Sequence, residues 1–302
     1  MQTAGILVNQ TLIMFLLAGI GFVLFRTGKI SNEGSKCIGN ILIYLVLPCV
    51  IIKGFLVERT GERVEGLLLS AVIAALVLLV SVLVSGIFLR KDAIGIFAAA
   101  FSNPGFFGVP LIVAVISEDA VFYIAAFIGF LNLLQWTYGV SVMTGKKGRI
   151  SGKELLKAPF FMAIMIGIIL FLFEITLPKQ IMTVLGNVTA LNTPLAMFTV
   201  GIYLAQTDLK KMFQKKHIYL ICFFRLCLIP LLCLFILWFI PEKYGDMKGA
   251  ILIAAACPVG SNIAVYAQKY DKDYKYAVET VVISTLFSII TIPCVYMMLA
   301  YS

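Results

Sequence analysis

Apolar runs long enough to cross a bilayer follow one another along almost the whole of this chain, a pattern that no soluble fold accommodates. A spanning helix takes about 20 residues. Reading from one charged or Gly/Pro-rich break to the next gives ten such runs, at about 4–25, 38–57, 66–89, 93–116, 120–143, 158–177, 181–205, 217–240, 248–268 and 277–301. They consume most of the 302 residues and leave no length for a folded soluble domain. The content is 61% hydrophobic and 13% charged, where soluble domains carry roughly 25% charge. Mean hydropathy is +1.03 over the whole chain, so apolar residues dominate everywhere and not on one face alone. The expected class is an all-α polytopic protein of the cell membrane.

The net charge of +9 does not indicate a nucleic-acid partner, because the basic residues sit in short loops between apolar runs. Odd-numbered loops hold 17 of the 24 Lys and Arg residues, among them Arg26, Arg90, Lys146, Lys210 and Lys269. The even-numbered side holds six, and Arg225 lies inside the eighth run. That asymmetry places the odd loops in the cytoplasm and both termini outside. No basic residue precedes the first run, so a cleaved leader is not expected. The seven cysteines form no CxxC and fall mostly within apolar runs, where they read as small hydrophobes.

The chain also looks duplicated. Pro48 interrupts the second run and Pro194 the seventh; the fourth reads AAAFSNPGFFGVPL and the ninth AAACPVGSNIAVYA. The matching pairs stand about half the chain apart. Residues 1–145 and 158–302 then hold five spans each, joined by a basic cytoplasmic linker at 146–157. An odd span number forces the second half to insert upside down, giving two inverted five-helix repeats with broken fourth and ninth helices, an arrangement found in transporters. At the breaks, Pro104 removes a backbone donor and Gly105 and Gly108 relax the chain, while Pro110 suits the first position of a restarted half-helix. Pro258, Gly260, Ser261 and Asn262 do the same in the ninth run. Freed backbone groups at membrane depth survive only around a protein-lined or water-filled cavity. Half-helix N-termini aimed at the bilayer centre favour an anion. A bland alternative is a simple proline kink in each helix.

The runs SNPGFFGVPL and CPVGSNIAVYA, with LNTPLAMFTVGIYLA between them, resemble the auxin efflux carrier (AEC) family over essentially the whole chain. The resemblance implies a fold similar to sodium/bile acid symporters, with a scaffold domain, a transport domain and elevator-like movement. It implies a substrate held where the fourth and ninth spans cross, with Asn103, Pro104, Pro110, Pro258 and Asn262 at the crossing. It is also compatible with a homodimer. The large plant members carry a long cytoplasmic loop that this chain lacks, so it looks like a compact bacterial-type permease.

Other residues have two readings each. Asn103 and Asn262 can donate to a carboxylate, accept from a cation, or cap their own backbone. Asn192 and Thr193, and also Asn132, Gln135 and Tyr138, could line a substrate or ion pathway or simply join helices. Arg225 is either functional or reaches to the cytoplasmic interface. Lys53 is expected to snorkel outward, and His217 to be an interfacial residue. Glu174 and Glu279 lie near span ends, so no carboxylate is expected at mid-membrane, which disfavours a paired-carboxylate proton antiporter. There is no HExxH and a single histidine, so neither a metal centre nor a cofactor is expected. The leading function is secondary transport of small organic anions, mono- or dicarboxylates that are auxin-like or malate- or malonate-like. A transporter-like receptor or channel is the alternative, and an intramembrane enzyme is disfavoured. The sequence leaves open sodium coupling, proton coupling or neither.

Overall fold

The computed structural model describes residues 2–145 and 157–299. Of the linker expected at 146–157, all but Lys157 lies outside the described residues. Those residues are helical, and the one strand-like feature among them is a bridge between Ser102 and Val259. Among the described residues, seven helices are long and apolar enough to cross a membrane. In chain order, with the shorter ones included, the helices used below are α1 (Gln2–Arg26), α2 (Asn32–Gly54), α3 (Gly61–Phe88), α4 (Ala93–Ala100), α5 (Pro104–Val115) and α6 (Asp119–Thr144). They continue with α7 (Pro159–Leu172), α8 (Lys179–Gln206), α9 (Lys216–Trp238), α10 (Gly245–Ala256), α11 (Asn262–Lys269) and α12 (Tyr274–Leu299).

Three expected runs differ from single long helices. The fourth is α4 and α5, separated by an extended stretch at 101–103, and the ninth is α10 and α11, separated at 257–261. The sixth was expected to reach residue 177 but stops at Leu172, since Glu174 adopts a left-handed φ of 51° that cannot continue a helix.

Pro48 and Pro110, expected at helix interruptions, instead stand just past widened turns, whereas in the seventh run a one-residue turn at Leu191 precedes Pro194. Wide π-turns cover Leu42–Val46, Pro104–Gly108, Gln135–Gly139 and Phe224–Leu228, and all but the third are followed two residues later by a proline: Pro48, Pro110 and Pro230. A proline ring clashes with the carbonyl four residues back. In each case the residue before the proline donates one step further back, as Leu47 does to Leu42, Val109 to Pro104 and Ile229 to Phe224. The helix therefore continues where Pro48 stands. Pro110 is not the point of restart either, because the second half of the fourth run begins at Pro104.

The helices pack in close sets. Along its length α1 lies against α8, and it also lies against α5 and α12; α7 lies against the second half of α2. The α3, α4 and α6 helices pack together, as do α9, α10 and α12. The α1–α8 contact is close enough to exclude side chains: a Cβ on Gly201 would overlap the Ala18 carbonyl oxygen. With lipid as apolar as any side chain, such small-residue approaches are what hold membrane helices together.

Candidate functional site

The site begins with a backbone problem. Where α4 and α10 stop, their last carbonyls lose helical partners, and each polar group left buried and unsatisfied costs about 1–3 kcal/mol. The two broken segments solve part of this for each other by crossing as an antiparallel bridge. Asn103 donates its N–H to the Pro258 carbonyl at 3.0 Å, and Gly260 donates to the Phe101 carbonyl at 3.0 Å. Gly260 is required there, because a Cβ would stand 2.9 Å from the Ser102 carbonyl oxygen. Val259 donates to the Ser284 hydroxyl at 3.1 Å, which ties the crossing to α12.

Arg225 satisfies further carbonyls. It lies 1% exposed in the π-turn of α9, and its guanidinium donates to Ala99 at 2.9 Å, to Ala100 at 3.2 Å, and to Ala255. Of the two readings of this residue, the one in which it reaches the interface is excluded by this burial.

Two cavities approach the crossing from opposite ends of the helices. The first, of about 650 Å³, has Ser102, Asn103, Pro104, Gly105, Gly260 and Asn262 on its inner wall. Asn132, Tyr44, Trp136 and Tyr266 line its sides, with Lys157 and Lys269 nearer its mouth. The Asn262 amide donates to Gln135 Oε1 at 3.2 Å, and this orients it while its residue lines the space. The second cavity, of about 530 Å³, is lined by Val109, Pro110, Asn192, Thr193, Lys53 and Glu118, among others. A thin partition separates them. In it the Asn192 amide donates to the Gly105 carbonyl at 3.0 Å, while Leu47 presses against Gly105 on the first cavity's side.

The candidate residues thus divide. Asn103, Pro104, Gly105, Asn132, Gly260 and Asn262 meet at the first cavity; Pro110, Asn192 and Thr193 face the second. Pro258 and Ser261 belong to the crossing itself but line neither, and Gln135 is buried behind Asn262. Tyr138 is absent from both linings, and its hydroxyl lies against Gly86 on α3. Lys53 pairs with Glu118 at 2.9 Å at the second cavity's rim. His217 lies half exposed, 3.1 Å from Asp92, and the buried Glu279 pairs with Lys215 near the same end of the molecule.

Sequence reasoning missed the lysines and aromatic residues of the first cavity. Lys157 and Lys269 read as ordinary loop charges, and their signal was only that each borders an apolar run. Chemically, the arrangement offers amide donors, helix N-termini at Pro104 and Asn262, and lysines in one concavity, with no Asp or Glu among its described lining residues. Helix N-termini attract negative charge.

The profile of the membrane transport protein family matches residues 6–296 of the chain. A protein of Rhizobium meliloti (strain 1021) named "Putative malonate transporter" is 24% identical over 299 residues, which cover 92% of this chain and 91% of that one. An uncharacterized transporter of Methanocaldococcus jannaschii is 27% identical over 301 residues, covering 94% and 96% of the two chains. A further uncharacterized transporter, from Methanothermobacter thermautotrophicus, is 23% identical over 299 residues, with 94% and 96% covered. With nearly its whole length matched, and with the AEC motifs standing at the crossing, the chain is a multi-pass membrane transporter belonging to the membrane transport protein (auxin efflux carrier) family.

Proposed function

We propose that this protein is a secondary transporter of small organic anions, mono- or dicarboxylates, working by alternating access across the cell membrane. The observation that carries this reading is the first cavity. Its inner wall brings Asn103, Asn262 and two helix starts together, lysines stand toward its mouth, and its described lining holds no acidic residue. A carboxylate finds donors and positive potential there, whereas a cation meets no counter-charge. Tyr44, Phe106, Trp136 and Tyr266 offer apolar area for the carbon skeleton. The relative named for malonate supports a dicarboxylate.

The proposed architecture is ten spans in two inverted repeats, residues 1–145 and 158–302, with the fourth and ninth spans each built from two half-helices. The α1–α8 and α2–α7 packing supports a static scaffold of spans one, two, six and seven. The remaining spans, which pack among themselves around the crossing, would move as a transport unit. The 17-to-6 distribution of Lys and Arg favours cytoplasmic odd loops and external termini. Single cysteines placed at Glu58 and Glu242 in a cysteine-free background should then react with an impermeant reagent from outside, and one at Asp271 should not. The reverse pattern would overturn the orientation.

Uptake of labelled malonate, malate and indole-3-acetate into proteoliposomes tests the function. Saturable uptake of a carboxylate, competed by the unlabelled anion, is the expected result. Saturable binding without uptake would instead identify a receptor. Absence of both would end the carboxylate reading.

A further inference from the structure

Arg225 occupies a place that the proposed anion site does not explain. It lines neither cavity, and two of its three guanidinium nitrogens are spent on backbone carbonyls. Those carbonyls belong to the last two residues of α4 and the next-to-last of α10, two half-helices that arrive at the crossing from opposite ends of the molecule. Each helix C-terminus carries about half a negative charge. Two of them converge on Arg225, so these carbonyl ends alone present about one negative charge there, distinct from the positive half-helix starts at Pro104 and Asn262. Left uncompensated, that charge would oppose an anion held a few residues away at Asn103 and Asn262. Converging carbonyls at half-helix C-termini are also the arrangement that coordinates sodium ions in broken-helix transporters. Among the described residues no carboxylate pairs with Arg225, so its charge is committed to these helix ends.

We infer that Arg225 is a built-in counter-cation: its guanidinium fills the carbonyl cluster of Ala99, Ala100 and Ala255, where a monovalent cation would otherwise be needed. Anion binding at the crossing then requires no bound sodium ion. Arg225 acts as a positioning residue, since it touches the helix ends and not the anion. The geometry suits the task, because a guanidinium presents several donors in a fixed plane and stays charged when buried. Its host segment is the wide turn imposed by Pro230, and this sets the side chain's position along α9.

The consequence for anion binding rests on the transporter reading; the cation claim does not, and the test separates them. Purified protein is melted in sodium chloride and in choline chloride at equal ionic strength, and malonate affinity is measured in both. For the natural protein, both the melting midpoint and the affinity are expected to be the same in the two salts. Arg225→Ala should melt lower in choline and bind malonate about tenfold more weakly. Sodium, or guanidinium ion at sub-denaturing concentration, should restore both, which a purely space-filling role would not produce. Arg225→Lys should fall between the two. Stabilisation of the natural protein by sodium over choline overturns the inference, and so does a folded Arg225→Ala variant with unchanged affinity and no cation response. If Arg225→Ala does not fold, the sodium–choline comparison on the natural protein still decides. If malonate fails to bind while the melting pattern holds, the substrate reading falls and the counter-cation stands.

Discussion

The Asn192 side-chain amide reaches the Gly105 carbonyl at 3.0 Å, across 87 positions of sequence, and this bond lies in the wall between two cavities. Asn192 belongs to α8, which is packed on α1; Gly105 opens α5 beside the crossing. In the proposed alternating-access scheme the bond joins the static unit to the moving one, so the unit cannot travel without breaking it. Asn192→Ala leaves a buried carbonyl unpaired, at a cost of about 1–3 kcal/mol. The melting midpoint should fall, and distances between spin labels at Val23→Cys and Val265→Cys should spread toward a second population. An unaltered midpoint and an unaltered distance distribution would remove the partition from the mechanism.

Asn262 tests the anion site directly. Charge-assisted hydrogen bonds are worth roughly 1.5–3 kcal/mol, so Asn262→Ala should weaken carboxylate binding by about 10- to 100-fold. Asn262→Asp keeps the shape and adds a negative charge beside the substrate, and should weaken it more than alanine does. Titration of malonate by calorimetry reads both. Full affinity in the aspartate variant would place the carboxylate elsewhere.

Lys269 lines the same cavity and stacks its ammonium over Tyr270 at 5.6 Å. Lys269→Gln should reduce apparent affinity by about threefold at low ionic strength. The difference should shrink as salt is raised, because exposed charges separated by about 10 Å are screened near 0.1 M. A salt-independent loss would mean direct contact with the substrate instead of attraction toward the cavity.

Gly201 is the point where α8 meets the α1 backbone. Gly201→Ala forces a methyl into the Ala18 carbonyl, and overpacking of this kind costs about 1–3 kcal/mol. Thermal melting should fall by several degrees, while Gly186→Ala, on the same helix with open space around it, should leave it unchanged. Equal midpoints for the two variants would contradict the close approach.

What could be read from the chain follows from the range of the forces involved. Long apolar runs announce helices because burying apolar area is a local and additive property, and Pro104, Gly260 and Asn262 announced breaks through backbone sterics alone. The end of the sixth run could not be placed, since Glu174 takes its left-handed turn without glycine to mark it. Arg225 was ambiguous because its partners, Ala99, Ala100 and Ala255, are apolar residues whose only contribution is a carbonyl. Tyr138 could line a pathway or join helices by its position in the fifth run, and its hydroxyl lies against Gly86 on α3. Lys157 and Lys269 were hidden by the loop charges around them.

The bridge between Ser102 and Val259 also constrains how the protein is made. During synthesis the first half enters the bilayer well before the segment around Pro258 has left the ribosome. Until then the Asn103 amide and the Phe101 carbonyl have no partners from that segment, and the break must be sheltered by water, lipid headgroups or the insertion machinery. The half-made protein is thus committed to a waiting state, released only when the second break arrives and threads across the first. Substitutions near Val259 would therefore be felt first in yield at the membrane, before any effect on the finished transporter could be measured.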